Sequence, residues 1–316
     1  MDFAKTHERK TLTKESYLIS ISLFAVFIFA FIAIIVICLV PFSNNTDSSD
    51  AGSQASQIVE DEPVDEIEPD EKEIITPVNF QSVVDGWVNS TSGNKSVLIY
   101  DLERDEIVGS YNPSENYNTA SLYKLFVVYV GYLKINSGEW NRDDPAGRTG
   151  YSIIQCLDLA IRESNSVCAE SLWSIIGRDN LQNILVSQFG ITDSNINSLI
   201  SNPNDILKIM KTYYHHDGIT DESLIGLIKD SFLNQPVTTY NWRQGFPSGF
   251  SKANIYNKVG WDYNPDKKIW NIYHDAAIVE FPDANRHFVT IVMSNYVPYQ
   301  KIRDLGSMLE THFYNQ

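Results

Sequence analysis

Residues 272–295 read IYHDAAIVEFPDANRHFVTIVMSN, and they predict the centre of an antiparallel sheet. Two runs of β-branched and aromatic residues, 272–281 and 287–295, are separated by a Pro-Asp-Ala-Asn turn, as in a β-hairpin. A third run of the same kind, IYNKVGW at 255–261, precedes them and is followed by an Asn-Pro-Asp turn. We therefore expect three consecutive strands of one meander.

From residue 79 onward, the rest of the chain predicts two further strands and many helices. SVLIYDLE at 96–103 and EIVGSYN at 106–112 flank a short polar turn, which indicates a second hairpin. Early and late strands can share one sheet, with the terminal helices on one face and an all-helical insertion beside it, so the fold class is α+β. Helical periods punctuated by glycine and proline cover about 79–90, 120–136, 152–164, 167–176, 179–189, 204–215, 220–232 and 299–314.

An uncharged run of 23 residues, 18–40, precedes this domain. As a helix it would cover roughly 34 Å, which is enough to cross a bilayer core of about 30 Å. A cleaved signal peptide would have a shorter apolar region and a small-residue cleavage site, whereas Pro41 and Phe42 follow this run directly. Because four basic residues lie in 1–17, the positive-inside rule predicts a cytoplasmic tail, one transmembrane helix and an extracytoplasmic domain at the cell membrane.

The segment 41–78 is acidic, with Lys72 its only basic residue, and it predicts a disordered spacer. It accounts for much of the net charge of −16. The domain at 79–316 is then mildly acidic, which argues against nucleic acid as a partner. The partner that the composition does indicate is a membrane, through residues 18–40.

The cysteines and histidines indicate no metal or cofactor. Cys156 and Cys168 fall in predicted helices of the exported domain, where a disulfide is permitted but two buried free thiols are at least as good an interpretation. His215 and His216 come at a predicted helix end and fit a cap region better than a pair of metal ligands. His274 shows no partner pattern.

Residues 121–124, SLYK, form a Ser-x-x-Lys pattern at the start of an apolar helix. Positions i and i+3 share a helix face, so the Lys124 amine can reach the Ser121 hydroxyl. A lysine partly buried among apolar groups has a depressed pKa and can accept the hydroxyl proton. The same pattern occurs at 92–95, SGNK, in a turn where we expect nothing to bury the lysine. Ser121 is therefore the candidate nucleophile.

Two later elements carry compatible chemistry. The sequence SNS at 164–166 lies where one helix ends and another begins, so its first hydroxyl can relay a proton, although ordinary helix capping is the alternative. In KVG at 258–260, a strand lysine can attract a substrate carboxylate, and the glycine lets a substrate backbone lie close. A solvent-facing lysine beside a bulge glycine is the alternative there.

Together the three elements follow the order of the Ser-x-x-Lys, Ser-Asp-Asn and Lys-Thr-Gly motifs. The surrounding sequence, NTASLYKLFVVY at 118–129, IRESNSVCAESL at 161–172 and WRQGFPSGFSKANIYNKVGW at 242–261, resembles class A β-lactamases and low-molecular-weight penicillin-binding proteins. The resemblance implies a five-stranded antiparallel sheet flanked by helices over residues 79–316. It also implies an active site between this sheet and a helical subdomain.

By position, the resemblance implies roles for seven residues, of which the first three are catalytic and the others bind substrate: Ser121, Lys124, Ser164, Ser166, Lys258, Gly260 and Trp261. Ser164 would relay a proton, and Lys258 would orient a substrate carboxylate. The backbone N–H of Ser121 and the first strand N–H after Gly260 would form the oxyanion hole. The implied substrate is a β-lactam or a D-Ala-D-Ala-type peptide.

Three departures from the family pattern predict slow turnover. Val259 stands where a hydroxyl residue is usual, and Ser166 where an asparagine is usual. The loop GITDSNINSLISNPND at 190–205 holds Asp193 and Asp205 but no glutamate that could activate a deacylating water. Losing general-base help typically costs ~10²–10⁴ in rate. A long-lived acyl-enzyme is therefore expected, and the choice between β-lactamase and DD-peptidase activity stays open.

Two other functions compete with acyl transfer. A catalytically degraded module could keep this fold and bind cell-wall fragments, and an anchored outer domain could have a purely structural role. Other hydrolase patterns are weaker, because GFPSG at 245–249 has its serine displaced from the Gly-x-Ser-x-Gly position.

Overall fold

The centre of the fold is a five-stranded antiparallel sheet with the strand order β2-β1-β7-β6-β5. The computed structural model describes residues 77–236, 243–264, 266 and 269–316. A two-residue ribbon, β3 with β4, lies apart from this sheet. The strands are β1 (Asn94–Asp101), β2 (Glu106–Tyr111), β3 (Tyr117–Asn118), β4 (Ile200–Ser201), β5 (Asn254–Asn264), β6 (Ile269–Phe281) and β7 (Arg286–Asn295).

The helices form one insertion between the early and late strands, with further helices at both ends of the domain. Short 3₁₀ turns cover Ala120–Leu122, Ile196–Ser198 and Pro282–Ala284. In the part of the chain that the structure describes, the α-helices are α1 (Gln81–Ser90), α2 (Tyr123–Asn136), α3 (Ile153–Arg162), α4 (Ser166–Ile176), α5 (Arg178–Phe189), α6 (Pro203–His215), α7 (Glu222–Leu233), α8 (Phe246–Gly249) and α9 (Tyr299–Tyr314).

Alternate residues of each strand face two different cores. Leu98 packs into a core built with the helical insertion, whereas its neighbour Val97 packs into a core built with α1 and α9. The same alternation places Ile278 in the first core and Val279 in the second. This period of two is the direct consequence of strand geometry, and it makes both faces of the sheet apolar.

Helix α2 runs through the interior of the domain. All ten residues from Tyr123 to Tyr132 are buried. A helix that is apolar all round is expected to be buried on all sides. Lys124 is the charged residue in this stretch, and it has no solvent-exposed surface, so its presence there calls for a specific set of polar partners.

The α+β class and the five-stranded antiparallel sheet are as predicted, and each predicted strand and helix of the domain exists within a few residues of its expected bounds. Two expectations were wrong. The helix expected from residue 120 begins with a 3₁₀ turn, and α2 starts only at Tyr123. The lysine of the second Ser-x-x-Lys copy, Lys95, is buried, and its amine donates to the carbonyl oxygens of Thr91 and Gly93.

The two cysteines of the domain are paired. A disulfide joins Cys156 of α3 to Cys168 of α4, so the interpretation of two free thiols was wrong. The disulfide joins the two helices on either side of their junction, and this junction contains Ser164.

The predicted tail at 1–17, the predicted transmembrane helix at 18–40 and nearly all of the predicted spacer at 41–78 lie outside the described residues. Among the helices that are described, none combines the length and apolar character needed to span a bilayer.

Candidate active site

Ser121 lies in a tight turn between the β3 ribbon and α2. The turn starts at Ala120, whose φ of +43° is in the left-handed region that non-glycine residues rarely adopt. Neighbouring groups hold the turn: the Asn118 side-chain oxygen accepts from Ala120 N at 2.9 Å, and Thr119 N donates to Leu199 O at 2.7 Å. Ser121 is itself half-buried, so part of its surface reaches solvent.

The Lys124 amine contacts three hydroxyl groups. Its Nζ lies 3.0 Å from Ser121 Oγ, 3.2 Å from Ser164 Oγ and 3.0 Å from Ser166 Oγ, and it donates to Ser164 O at 2.6 Å. Burial lowers the pKa of Lys124 to about 8, while the negative charge of Glu170 opposes this shift. The amine can therefore exist in part as a free base next to Ser121.

Ser164 connects this amine to a second one. It occupies the link between α3 and α4 with a φ of +54°, and the Asn165 side chain caps α4 by accepting from Cys168 N at 3.0 Å. This backbone turns the Ser164 hydroxyl inward, where it also accepts from Lys258 Nζ at 2.9 Å. One hydroxyl thus lies between two lysine amines.

Lys258 on β5 is almost completely buried. Burial lowers the pKa of its amine well below the usual value, the nearby charge of Lys124 lowers it further, and Asp275 raises it. Asp275 is itself buried, which raises the pKa of its carboxyl to about 7, although hydrogen bonds from Asn257 Nδ2 and Phe246 N oppose this. The Lys258 amine therefore lies in the field of a buried, partly protonated carboxyl and of the Lys124 amine.

Gly260 lets β5 pack directly against the turn of Ser121. A Cβ added at this position would lie 2.8 Å from Thr119 O and 3.1 Å from Leu122 Cγ. The first of these distances is shorter than real Cβ contacts allow, so β5 can approach this closely only with glycine. Trp261 follows, half-buried and paired with Tyr273 of β6.

The structure therefore brings the seven predicted site residues to one region: two amines and three hydroxyls in direct contact, with Gly260 and Trp261 on the adjoining strand. The hydroxyl of Ser166, which is predicted to bind substrate, accepts from Lys124 Nζ at 3.0 Å. Elsewhere, His216 caps the end of α6 as expected, with φ +55°. No cluster of three or more His, Cys, Asp or Glu suited to a metal ion occurs in the described ranges.

Three residues of the site were not predicted: Tyr123, Glu170 and His274. Tyr123 donates from its hydroxyl to Glu170 Oε1 at 3.0 Å, which holds this carboxylate close enough to influence Lys124. His274, for which no partner was evident, contacts the backbone of Asn118 and Ser294. These contacts join residues 20, 47 and 156 positions apart, so no local sequence signal could have indicated them.

A model of the β-lactamase enzyme family matches residues 79–313. This match extends over most of the chain and contains every residue of the site. The chain belongs to the β-lactamase enzyme family.

Solved structures of β-lactamases share the fold at low sequence identity. A class A β-lactamase from Bacteroides cellulosilyticus has a TM-score of 0.64 at 14% identity, over 76% of this chain and 100% of the other. The TLA-1 extended-spectrum β-lactamase has a TM-score of 0.62 at 14% identity, over 74% and 98%. PBP-A has a TM-score of 0.62 at 14% identity, over 76% and 99%. Among curated proteins, none matches the chain.

The loop before α6 differs from the pattern expected for a fast β-lactamase. Its two acidic residues are Asp193 and Asp205, and Asp205 is buried. The Asp205 carboxylate accepts from Asp193 N at 2.9 Å, Ser194 Oγ at 2.8 Å and Lys208 Nζ at 2.7 Å. Through these hydrogen bonds, the Asp205 carboxylate stabilises the conformation of the loop. Leu199 O, which accepts from Thr119 N, instead connects the loop to the turn of Ser121.

Proposed function

We propose that this domain is a serine acyl-transfer enzyme that forms an acyl-enzyme through Ser121 with a β-lactam or a D-Ala-D-Ala-type peptide. The observation that carries the proposal is the contact between the buried Lys124 amine and the Ser121 hydroxyl, at 3.0 Å. Burial lowers the pKa of this amine to about 8, so a fraction of it is neutral near physiological pH. A neutral amine beside a serine hydroxyl provides the base that nucleophilic attack requires.

In the acylation step, neutral Lys124 takes the proton of Ser121 Oγ as this oxygen attacks the substrate carbonyl carbon. The C–N bond then breaks, and the leaving nitrogen takes a proton from Ser164 Oγ, which recovers one from Lys124. The contact between Lys124 Nζ and Ser164 Oγ, at 3.2 Å, supports this return path. The net result is an ester at Ser121 and one proton moved to the leaving nitrogen.

Lys258 explains why the substrate would carry a carboxylate. Its amine lies 2.9 Å from Ser164 Oγ, on the other side of this hydroxyl from Lys124, which is 3.2 Å away. In its charged form, Lys258 would attract an anion strongly, because the effective dielectric constant in a buried setting is low. A bound carboxylate would in turn stabilise the charged form of Lys258, whose pKa burial depresses.

Deacylation is expected to be slow. The loop 190–205 offers no glutamate, and the Asp205 carboxylate is occupied by Asp193 N, Ser194 and Lys208. Without a positioned base for water, hydrolysis of the ester loses roughly 10²–10⁴ in rate. The protein should show a rapid burst of acylation followed by a steady state that is at least about a hundredfold slower.

Labelling of the purified full-length chain with a fluorescent penicillin, followed by peptide mass spectrometry, tests the proposal. The second Ser-x-x-Lys copy provides a matched control. We expect an adduct on the peptide that contains Ser121 in the wild type and in Ser92→Ala, and none in Ser121→Ala. The absence of any adduct on the wild-type protein would refute acyl transfer.

A binding module is the second candidate. Its support is that Val259 is buried and offers no hydroxyl between Lys258 and Gly260, and that the Ser166 hydroxyl is directed to Lys124. In that case the wild type and Ser121→Ala would bind a labelled cell-wall peptide with equal affinity, and neither would form a covalent adduct.

We propose further that residues 18–40 anchor the chain in the cell membrane with the domain outside the cytoplasm. The uncharged run of 23 residues supports an anchor, and the basic residues before it support this orientation. The Cys156–Cys168 disulfide fits an oxidising compartment.

A further inference from the structure

His274 lies on β6 directly opposite Gly260 of β5 and has no exposed surface. A Cβ added at Gly260 would come within 3.2 Å of His274 Cδ2, as well as 2.8 Å from Thr119 O. The imidazole and Gly260 therefore line the same small space, next to the turn that carries Ser121. The mechanism proposed above does not use this buried ring.

Two backbone groups determine the protonation state of His274. Ser294 N donates to Nδ1 at 2.9 Å, and Nε2 lies 2.7 Å from Asn118 O. Because a backbone N–H only donates and a carbonyl only accepts, Nδ1 is unprotonated and Nε2 carries the hydrogen. Burial also lowers the pKa of His274 to about 4, so the neutral ring persists at physiological pH.

The sheet departs from its regular pairing around this ring. The register of β6 with β7 joins Ile272 to Asn295 and Asp275 to Val292, and it skips Tyr273 and His274 between them. In this gap the Ser294 backbone N–H donates to the imidazole, while Ser294 Oγ donates to Tyr273 O at 2.6 Å. In a continuous ladder the Ser294 N–H would donate to the backbone of β6. Here it donates to the His274 ring and thereby orients it.

The other end of this arrangement is a strained turn. Asn118 O, which receives the Nε2 hydrogen, lies three residues before Ser121 and two before Ala120, whose φ is +43°. A backbone conformation of this kind persists only when its surroundings hold it in place. Leu199 O holds the turn from the loop side, through Thr119 N, and His274 holds it from the sheet side.

We propose that His274 is a positioning residue for Ser121. Its Nε2 hydrogen fixes the Asn118 carbonyl to the sheet and thereby sets the position of the turn that presents the Ser121 hydroxyl. The inference rests on the proposed acyl-transfer function, because the position of Ser121 affects a rate only if Ser121 attacks a substrate. A misplacement of about 1 Å can cost ~10²-fold in rate.

Two conservative substitutions separate the two hydrogen bonds of the ring. In His274→Gln the side-chain amide N–H can replace Nε2 and donate to Asn118 O, while the bond from Ser294 N is lost. In His274→Asn the side-chain oxygen can replace Nδ1 and accept from Ser294 N, while the side chain is too short to reach Asn118. Both variants remove the imidazole from the interior, so each is a control for the other.

The first measurement is the acylation rate constant of full-length protein with a fluorescent penicillin, separated from the dissociation constant of the initial complex. We expect His274→Asn to acylate at least about tenfold more slowly, with the dissociation constant within about threefold of the wild type. His274→Gln should retain the wild-type acylation rate within about threefold. Equal losses in both variants would overturn the proposal, because general damage from removing the ring would then explain them.

The second measurement does not depend on acylation. Amide hydrogen exchange of the peptide covering residues 117–122 should be faster in His274→Asn than in His274→Gln, since only the former releases Asn118 O. Equal exchange in the two variants would show that His274 does not hold the turn. If the wild type forms no Ser121 adduct, the proposed function fails, and this exchange experiment still decides whether His274 positions the turn.

Discussion

At Lys124, two opposing effects determine the pKa of the amine. Burial lowers it to about 8, because an amine without solvent loses the hydration of its charged form. Glu170 raises it through its negative charge, and the Tyr123 hydroxyl holds that carboxylate at 3.0 Å. At pH 7 roughly one Lys124 amine in ten is then neutral. Acylation should therefore rise with pH and level off above about pH 8.

Replacing Glu170 by glutamine should shift this pH profile to lower pH. Glu170 favours the charged amine, so its removal lowers the pKa of Lys124 and makes the free base available at a lower pH. Glutamine retains an oxygen that can accept from Tyr123, so the plateau rate should stay within about twofold. The measurement is the acylation rate between pH 5 and 10, with Glu222→Gln, an exposed change at the start of α7, as the control. A midpoint that does not move, or that moves to higher pH, would contradict the assigned role of Glu170.

Residue types alone indicated part of this site. The Ser-x-x-Lys spacing identifies Ser121 and Lys124, since both lie on consecutive turns of one apolar segment. The same spacing misleads at Lys95, which is buried and donates to the carbonyl oxygens of Thr91 and Gly93. His274 and Glu170 could not be found, because their partners come close only when distant elements pack together.

At the scale of the elements, the approach of β5 to the Ser121 turn depends on Gly260. Substituting alanine would put a Cβ 2.8 Å from Thr119 O, a backbone atom that cannot rotate away. The strand or the turn must then shift, and we expect Gly260→Ala to acylate at least about tenfold more slowly. Gly226→Ala is the matched control, since a Cβ there meets nothing within 4 Å and alanine favours helix α7. Wild-type acylation by Gly260→Ala would show that the close approach is unnecessary.

The disulfide between α3 and α4 should stabilise the junction that holds Ser164. Cys156 and Cys168 are 12 residues apart, and closing a loop of this size contributes about 3 kcal/mol by the chain-entropy account. The double change to alanine should lower the free energy of unfolding by about this amount, measured in urea under oxidising conditions. Adding a reductant to the wild type should reproduce the loss and leave the double variant unchanged. A reductant effect on the double variant would point to a different cause.

The hydrophobic periodicity of the sequence predicted the strands and helices better than the junctions between them. The strands alternate between two apolar cores and the long helices have apolar faces, so each could be recognised from its own residues. The β3–β4 ribbon has only two residues in each strand, and its pairing of Tyr117 with Ser201 depends on the loop after α5. The 3₁₀ turn at Ala120–Leu122 depends on that same ribbon and on Leu199 O. These junctions position Ser121, and tertiary contacts determine them.

At the scale of the whole molecule, the sheet explains why the site lies where it does. Both faces of the sheet are covered, one by α1 and α9 and the other by the helical insertion. Strand β5 is one edge of this sheet, and there Lys258 and Gly260 meet the start of α2 and the α3–α4 junction. The proposed catalytic groups come from three separate segments that converge at this edge, which favours a single fixed arrangement of the amines and hydroxyls.

The proposed anchor and the domain should be separable. Residues 1–76 precede the whole family match, which begins at residue 79, and every side chain of the site lies at or after Ser121. A chain lacking residues 1–76 should therefore remain in the supernatant after ultracentrifugation, whereas the full chain should sediment with membranes. Its acylation rate with a fluorescent penicillin should equal that of the full chain within about twofold, because the seven proposed site residues all lie between Ser121 and Trp261. A truncated chain that still sediments, while remaining folded and active, would place the membrane contact on the domain itself and refute the anchor.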